Sequence, residues 1–228
     1  VTGAAGGFGE GIARLFVAEG AKVLIADLDA DKAQQVAASL GAQARSVRCD
    51  VSKRADIDAA LKACVDAFGA PDIVVNNAGT THRNQSMLDV DEATFDRVFA
   101  VNVKSIYHMT QAVVPLMKAR KSGCIVNIGS TAGIRPRPGL SWYNASKGAV
   151  NVLSKSMAAE LGPDGIRVNA VCPVMGATGL IEQFLGTADT PEARAKIVAG
   201  IPLGRMSTPE DVAEATLYLA SDAGRFIT

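Results

Sequence analysis

The stretch VTGAAGGFGEGIARLFVAEGAKVLIAD, residues 1–27, decides the fold of this chain. Its first two residues have the character of a strand end, and a glycine-rich turn follows at residues 3–9. Apolar residues at helical spacing then predict a helix that closes at Gly20, and residues 22–26 predict a strand that ends in Asp27. Strand, glycine-rich turn, helix and strand in this order form a dinucleotide-binding unit, because the glycines let backbone N–H groups approach a pyrophosphate at the helix N-terminus.

The spacing of the glycines fits two variants of such a turn. One variant uses Gly3, Gly7 and Gly9, and the other uses Gly3, Gly6 and Gly9. The turn by itself leaves both open, and an ordinary glycine-rich loop is the alternative to either. Since the strand, the helix and the acidic residue all stand in place, we favour cofactor binding.

Asp27 stands where a dinucleotide-binding fold places the acid that binds the adenosine ribose hydroxyls. A carboxylate there accepts two hydroxyl hydrogen bonds and repels a 2′-phosphate. No basic residue follows at Leu28 or Asp29, and the glycine turn holds none, so the sequence favours NAD over NADP. A capping or loop aspartate is the alternative, but Asp29 and Asp31 suit that role better.

Strands and helices alternate along the rest of the chain. Further strands are predicted at residues 44–48, 73–75, 124–128 and 167–171, and further helices at residues 31–40, 54–68, 91–120, 142–161 and 209–220. This alternation predicts one α/β domain over residues 1–228, with a doubly wound parallel sheet of Rossmann type in three α/β/α layers. Residues 172–207 form a long connection rich in Gly and Pro, which is typical of a functional segment such as a lid.

Two further segments follow the carboxyl ends of predicted strands, where ligands bind in open α/β sheets. Asp50 follows the strand at residues 44–48, and its carboxylate suits a hydrogen bond with an adenine amino group. Asn76-Asn77-Ala78-Gly79 follows the next strand, and its small residues let a cofactor lie against the backbone. Asn-Ala-Gly is also ordinary turn chemistry, and the sequence leaves both interpretations open.

The segment STAGIRPRPGLSWYNASK, residues 130–147, holds a candidate catalytic group. Tyr143 and Lys147 stand four apart at the start of a predicted helix, so the phenol and the ammonium share one face. The lysine is expected to lower the pKa of the tyrosine, as a proton donor and acceptor near neutral pH requires. Ser130, at a strand end, is placed to hold a substrate oxygen against the phenol. Alone, the pair is weak evidence, because a solvated lysine beside a packed tyrosine has the same spacing.

Several other polar residues have two interpretations each. Asn102 lies between two valines inside the predicted helix 91–120, where an isolated asparagine most often satisfies a backbone group. Arg135 and Arg137 suit attraction of an anionic substrate, but the neighbouring prolines slightly favour rim or subunit contacts. His82 follows the predicted cofactor loop and suits the lining of the pocket, but its interpretation as a histidine of a surface loop is favoured.

The composition limits the possible partners. Lysine plus arginine balances aspartate plus glutamate at 23 each, so the net charge gives no reason to expect a nucleic acid or an anionic membrane. The four cysteines are widely spaced and form no ligand pattern with the two histidines. We therefore expect free thiols in a reducing compartment and no metal. No apolar stretch is long enough to cross a bilayer.

Together these segments resemble the short-chain dehydrogenase/reductase family along essentially the whole chain, and its compact single-domain oxidoreductases in particular. The matching elements occur in the family's order: TGAAGGFG at 2–9, Asp27, Asp50-Val51, NNAG at 76–79, Asn102, Ser130, YNASK at 143–147, Asn169 and Pro173. Each match is weak alone, whereas the ordered set is specific. The resemblance implies the turn variant with Gly3, Gly7 and Gly9.

The resemblance implies an oxidoreductase that transfers a hydride between NAD and a secondary alcohol or ketone. Tyr143 is then the acid and base, Ser130 positions the substrate oxygen, and Lys147 lowers the tyrosine pKa and binds the nicotinamide ribose. Asn102 is implied to hold a water in a proton relay. The implied cofactor-binding residues are Gly3, Gly7, Phe8, Gly9, Asp27, Leu28, Asp50, Val51, Asn77, Ala78, Gly79, Tyr143, Lys147, Pro173 and Thr178.

Two alternative functions remain beside this one. An NADP-dependent 3-oxoacyl thioester reductase is disfavoured by Asp27. A catalytically silent dinucleotide-binding protein is disfavoured because members that lost activity tend to lose the tyrosine, lysine or serine. The resemblance further implies a small-molecule substrate, a homotetramer and a cytoplasmic location.

The chain departs from the family pattern at three places. Val174 stands where most members have a glycine after the proline of the nicotinamide loop, so the backbone of that loop is expected to differ. Thr178 is nevertheless well placed to contact the cofactor's carboxamide or phosphates. Most of the family's first strand is missing before Val1, and a seventh strand is missing after Thr228. We therefore expect the sequence to be clipped at both ends.

Overall fold

The parallel sheet is joined at its centre by the first two residues of the chain. In the computed structural model, which describes residues 1–228, one set of strands pairs β1 (Val23–Asp27) with β2 (Ala44–Arg48), and the other pairs β3 (Ile73–Asn76), β4 (Gly123–Ile128) and β5 (Ile166–Val171). The Thr2 N–H donates to the Val75 carbonyl at 3.0 Å, and the Ala26 N–H donates to the Val1 carbonyl at 3.0 Å. The spatial order is therefore β2, β1, residues 1–2, β3, β4, β5, which is a doubly wound arrangement.

Nine α-helices connect and cover the strands. Their bounds are α1 Gly7–Ala18, α2 Ala30–Leu40, α3 Arg54–Phe68, α4 Glu92–Phe99, α5 Ser105–Arg120, α6 Ser141–Leu161, α7 Ile181–Leu185, α8 Pro191–Val198 and α9 Pro209–Ala220. The predicted strands, and the predicted helices α2, α3, α6 and α9, all begin and end within one residue of these bounds. Periodicity of apolar residues was thus sufficient for the regular elements.

Two apolar clusters place the helices on opposite faces of the sheet. Val75 and Val126 pack in one cluster with residues of α1, α2 and α9. Their strand neighbours Val74 and Ile125 pack in the other cluster with residues of α5 and α6. Because successive side chains of a strand point to opposite faces, this alternation gives the three α/β/α layers predicted from the sequence.

The predicted helix over residues 91–120 is interrupted. Helices α4 and α5 are separated by one π-helical turn, Ala100–Lys104, at which Asn102 is buried. A wide turn of this kind inserts one extra residue into the helical repeat and often marks a functional position. The apolar spacing of a sequence does not reveal such a turn, because it is held by contacts with a distant segment.

The long connection over residues 172–207 contains α7 and α8. Its two ends pair, because the Ser207 N–H donates to the Met175 carbonyl at 3.1 Å and the Ser207 hydroxyl donates to the Val174 carbonyl at 3.3 Å. The connection therefore leaves β5, passes over the carboxyl ends of the strands and returns to α9. None of the helices has the length and apolar character needed to cross a membrane.

Candidate active site

A cleft of about 690 Å³ runs along the carboxyl ends of the strands. One end of the cleft lies at Asp27, the last residue of β1, and the other end lies at Tyr143 and Lys147 on α6. The predicted site residues that line it are Gly3, Gly7, Phe8, Asp27, Leu28, Asp50, Val51, Asn77, Ala78, Gly79, Ser130, Tyr143, Lys147, Pro173 and Thr178. Two predicted residues, Gly9 and Asn102, lie behind the lining instead.

The glycine-rich turn has the geometry of one of the two variants left open by the sequence. Gly3 and Gly7 have φ angles of +63° and +56°, which favour glycine. A Cβ on Gly9 would lie 2.2 Å from the Gly3 carbonyl oxygen, so this position has no room for a side chain. Gly6 is extended, with φ −177°, and a Cβ there would meet nothing within 4 Å. The positions that require glycine are therefore Gly3, Gly7 and Gly9.

The difference between Gly9 and Gly6 gives a prediction with its own control. We expect Gly9→Ala to lower the free energy of unfolding by about 2 kcal/mol or more and to abolish nicotinamide cofactor binding, because the added carbon overlaps backbone that cannot move aside. Gly6→Ala should change the free energy of unfolding by less than about 0.5 kcal/mol. Urea unfolding of the two variants measures this difference. Equal stabilities would contradict the assignment of the turn.

The turn is held in place by Thr2 and Asn77. The Thr2 hydroxyl oxygen accepts hydrogen bonds from the Asn77 and Ala78 N–H groups, both at 3.1 Å. The Asn77 side-chain amide donates to the carbonyls of Thr2 and Gly3, both at 2.9 Å. Since both amide hydrogens are used, the Asn77 side chain shapes the cradle rather than offering a donor to a ligand.

The two carboxylates of the cleft lie at the β1–β2 end. One Asp27 oxygen accepts the Ala5 N–H at 2.9 Å, which ties the end of β1 to the glycine turn. Asp50 accepts the Ser52 hydroxyl at 2.6 Å, and this hydrogen bond is the main cause that lowers its pKa. Lys32, which sequence reasoning missed, also lines this end of the cleft, and its ammonium pairs with Asp29 at 3.2 Å.

Tyr143 and Ser130 meet at the other end of the cleft. Burial raises the pKa of Tyr143, while the Ser130 hydroxyl and the charge of Arg137 act in the opposite direction. The net shift is upward because desolvation of the phenolate is the largest effect, and the expectation that Lys147 lowers this pKa stays a prediction. Ser130 itself is fixed by its neighbours, since its hydroxyl accepts the Ala132 N–H at 3.0 Å and its carbonyl accepts the Asn151 amide at 3.1 Å.

Lys147 is buried, and its ammonium donates to the Ile128 carbonyl at 2.8 Å. Burial lowers the pKa of this lysine from 10.5 to about 8. The ammonium has three donors, so the single protein acceptor leaves the others directed to the cleft. A Cβ on Gly79 would lie 3.5 Å from both the Lys147 ammonium and the Asn102 side-chain oxygen, so both groups lie next to Gly79.

Asn102 lies in the π-helical turn and is 2% exposed. Its side-chain oxygen accepts the Thr80 N–H at 2.8 Å, and its amide donates to the Thr80 carbonyl and the Ser146 hydroxyl, both at 2.9 Å. The side chain thus satisfies backbone groups, as its setting in the sequence suggested. It also fixes the loop after β3 to the residue next to Lys147. A proton relay through a water at Asn102 stays a prediction.

Phe184 and Arg137 complete the site. The sequence did not assign Phe184 to it, and it gave Arg137 two interpretations. The ring of Phe184, on α7, packs edge-on against Tyr143 with centroids 5.0 Å apart. Helix α7 is held over the cleft because the Asn84 N–H donates to the Gln183 carbonyl at 2.8 Å. Arg137 lines the cleft, whereas Arg135 is exposed and does not. Arg137 also lines the neighbouring pocket beside Pro136 and Asn144, so its interpretation as a rim or subunit residue stays a prediction.

The structure also gives the positions of Val174, Thr178 and His82. Val174 lines the cleft in place of the expected glycine, and its carbonyl is fixed by the Ser207 hydroxyl. Thr178 lies opposite the glycine turn, 3.5 Å from where a Cβ on Gly7 would stand. His82 is not a surface residue, because it is 2% exposed and its Nδ1 lies 2.8 Å from the Arg83 carbonyl.

Known proteins resemble this chain over its full length. A family model described as enoyl-(acyl carrier protein) reductase matches residues 3–228. The 4-formylbenzenesulfonate dehydrogenase of Comamonas testosteroni is 48% identical, over 100% of this chain and 92% of that protein, and a 3-oxoacyl-[acyl-carrier-protein] reductase of Thermotoga maritima is 37% identical, over 100% and 92%. The crystal structure of a 3-ketoacyl-(acyl-carrier-protein) reductase from Brucella melitensis complexed with NADH has a TM-score of 0.93 at 43% identity, covering 100% of this chain and 91% of that one.

Proposed function

The chain belongs to the short-chain dehydrogenase/reductase family, and from this premise we propose that it transfers a hydride between NAD and a secondary alcohol or ketone, with Tyr143 as acid and base. It is an oxidoreductase that acts on CH–OH groups with a nicotinamide cofactor. The observation that carries the proposal is the single cleft that joins the glycine turn and Asp27 to Ser130, Tyr143 and Lys147.

The residues of the cleft fit a nicotinamide dinucleotide. The glycine turn opens α1 with its N–H groups, which suits a pyrophosphate, and lies close to Asp27. The small residues Ala78 and Gly79 line the floor between the two ends. Asp27 and Asp50 suit the adenosine, whereas Lys147 and Pro173 suit the nicotinamide ribose and ring.

The proposed proton chemistry follows from the positions of three side chains. Bound nicotinamide supplies the hydride acceptor or donor. Ser130 holds the substrate oxygen against Tyr143, which as the phenolate takes the hydroxyl proton during oxidation and as the phenol donates a proton to the substrate oxygen during reduction. Lys147 lies one helical turn from Tyr143. Its positive charge favours the phenolate form of Tyr143, which is the form that accepts the substrate proton during oxidation. Phe184 packs edge-on against the Tyr143 ring and adds to its burial.

We propose NAD rather than NADP as the preferred cofactor. The carboxylate of Asp27 stands at the end of β1, where it suits two ribose hydroxyls and repels a 2′-phosphate. Lys32, the nearby cation, is paired with Asp29 and is therefore compensated. The Brucella melitensis relative was crystallised with NADH, which supports the same preference.

Replacement of Asp27 tests this cofactor preference. We expect Asp27→Ala to weaken NADH binding by about 10-fold, because the charge-assisted hydrogen bonds from the two ribose hydroxyls are lost. The affinity for NADPH relative to NADH should improve, because the carboxylate no longer repels the 2′-phosphate. Asp31→Asn is the control, since it removes an exposed carboxylate of α2 that does not line the cleft. The measurement is the dissociation constant of each cofactor for each variant. An unchanged NADH-to-NADPH ratio in Asp27→Ala would show that Asp27 does not contact the ribose.

One second function has support from the relatives. Two of them are named as 3-oxoacyl or 3-ketoacyl carrier-protein reductases, so an acyl thioester reductase with NADP is the alternative. Faster reduction of an acetoacetyl thioester with NADPH than of simple ketones with NADH would favour it. A silent cofactor-binding protein is opposed by the presence of Ser130, Tyr143 and Lys147 together in one cleft.

We also propose that residues 1–228 form one domain that assembles as a homotetramer in the cytoplasm. Large apolar side chains on the outer faces of α5 and α6 support the assembly, because Tyr107 is 56% exposed and Val152 is 64% exposed. The free state of all four cysteines agrees with a reducing compartment. The continuous sheet from β2 to β5 agrees with one domain.

A further inference from the structure

We propose that Arg137 binds an anionic group of the substrate, so that the enzyme acts on a hydroxy or oxo compound that carries a carboxylate or sulfonate. The inference rests on the proposed function, because it places Arg137 relative to a substrate oxygen held at Tyr143. It adds the chemical class of the substrate and the residue that selects it.

Arg137 is fixed beside the catalytic end of the cleft. Its carbonyl accepts a hydrogen bond from the Asn144 side-chain amide at 2.8 Å, and Asn144 follows Tyr143 directly on α6. The backbone of Arg137 is therefore tied to the helix that carries the phenol. The side chain lines the cleft together with Leu140 and Phe184.

The guanidinium of Arg137 has no partner within the protein. The side chain is half-buried, forms no ion pair and donates no hydrogen bond, in contrast to Arg194 and Arg205, which pair with Asp189 and Asp211. A planar guanidinium offers five donors in a fork that matches two carboxylate or sulfonate oxygens. An unpaired guanidinium in a substrate cleft is thus available to an anion.

The charges of the cleft are segregated. Asp27 is the last residue of β1, and Asp50 follows β2. Both carboxylates therefore lie at the opposite end of the cleft from Tyr143. Arg97 also lines the cleft, but it stands one turn before Val101, which packs against the Val51 cluster near β2. Near Tyr143, therefore, Arg137 is the cation whose side chain donates no hydrogen bond within the protein. No acidic side chain lines that end of the cleft and could pair with Arg137 in place of a substrate anion.

The electrostatic effect of Arg137 reaches the phenol. Its positive charge lowers the pKa of Tyr143 against the effect of burial, and both residues line the same cleft. A compact substrate with its alcohol at Tyr143 brings a nearby anionic group within reach of Arg137. The apolar walls at Leu140 and Phe184 reduce the screening of this attraction by water.

The test uses pairs of alcohols that share a reacting centre and differ in charge. One pair is a hydroxyethyl-substituted benzoate with its benzamide, and the other is 3-hydroxybutyrate with 3-hydroxybutyramide. The value of kcat/KM is measured with NAD and with NADP for the unmodified enzyme, Arg137→Met, Arg137→Lys and Arg135→Met, with NADH binding as the check on folding. Loss of the Arg137 charge also changes the pKa of Tyr143, and this change affects both members of a pair equally. The readout is therefore the kcat/KM of the anionic member divided by the kcat/KM of the neutral member.

We expect the unmodified enzyme to prefer the anionic member, and Arg137→Met to reduce that preference by about 10- to 100-fold, mainly through KM, as loss of a charge-assisted pair predicts. Arg137→Lys should retain part of the preference, and Arg135→Met should retain all of it. Turnover without an anionic preference, or with one that survives in Arg137→Met, overturns the inference while the proposed function stands. No turnover of any alcohol with either cofactor overturns the proposed function, and the inference falls with it.

Discussion

Replacing Tyr143 with phenylalanine should lower kcat by about 1,000-fold while leaving NADH binding largely intact, within the range that general acid–base catalysis contributes. The phenol is the one acidic group that lies beside Ser130 in the cleft, so its loss removes the proton acceptor of the oxidation step. Phenylalanine preserves the ring that packs with Leu140 and Phe184, so the cleft should keep its shape. Steady-state kinetics and an NADH titration of the same preparation separate the two effects.

Tyr218→Phe is the matched control for this variant. Tyr218 is 51% exposed on α9, away from the cleft, so the same chemical change there should leave kcat unchanged. Turnover within 10-fold of the unmodified enzyme in Tyr143→Phe would remove Tyr143 from the role of acid and base. The buried hydroxyl also predicts a pH dependence, because a phenol with a raised pKa must lose its proton before oxidation. Oxidation should therefore accelerate as the pH rises above neutrality.

Replacing Lys147 with methionine should lower kcat by about 100-fold, as expected when a charged group that assists proton transfer is lost. The same variant should be more stable than the unmodified enzyme at pH 7, by about 2 kcal/mol, because a buried ammonium with a strongly lowered pKa is destabilising when protonated. The lost hydrogen bond to Ile128 offsets part of this gain. Function and stability thus oppose each other at this residue.

The pH dependence of that stability has a defined sign. The folded lysine releases its proton at about pH 8, whereas the unfolded lysine keeps it up to about 10.5. Between these values the unfolded state binds more protons, so the stability of the unmodified enzyme should rise with pH relative to Lys147→Met. The stability advantage of Lys147→Met should be largest below pH 8, should decrease as the pH rises, and should be lost by about pH 10.5. Urea unfolding across this range measures it, with Lys155→Met, an exposed lysine of α6, as the control. A constant difference would show that Lys147 does not carry a lowered pKa.

The regular elements and the outline of the cleft were predictable from the sequence. Residues 1–27 carry a strand, turn, helix and strand signal that depends only on local spacing. The structure has the helix and the second strand there, and residues 1–2 pair with the sheet as an isolated bridge. The carboxyl ends of parallel strands meet at one edge, so Asp27, Asp50 and Gly79 were expected near each other before their contacts were known. Tyr143 and Lys147 share a helix face for an equally local reason.

The remaining features depend on contacts between distant segments. The π-helical turn at Asn102 is held by Thr80 and Ser146, and no apolar period encodes such bonds. The direction of the Tyr143 pKa depends on how deeply Phe184 and its neighbours bury the phenol, which spacing does not show. Arg137 lines the cleft and its carbonyl accepts a hydrogen bond from Asn144, and its position between two prolines does not determine where the guanidinium lies.

The most direct test of the central claim is a titration of the unmodified protein with NADH and with NADPH. Energy transfer from Trp142, the only tryptophan and the neighbour of Tyr143 on α6, to the bound nicotinamide reports binding in this cleft. We predict saturable transfer with both cofactors, and a dissociation constant for NADH about 10-fold or more below that for NADPH, because Asp27 favours the ribose hydroxyls over a phosphate. Tighter binding of NADPH, or no binding of either cofactor, would contradict the proposed NAD-dependent hydride transfer.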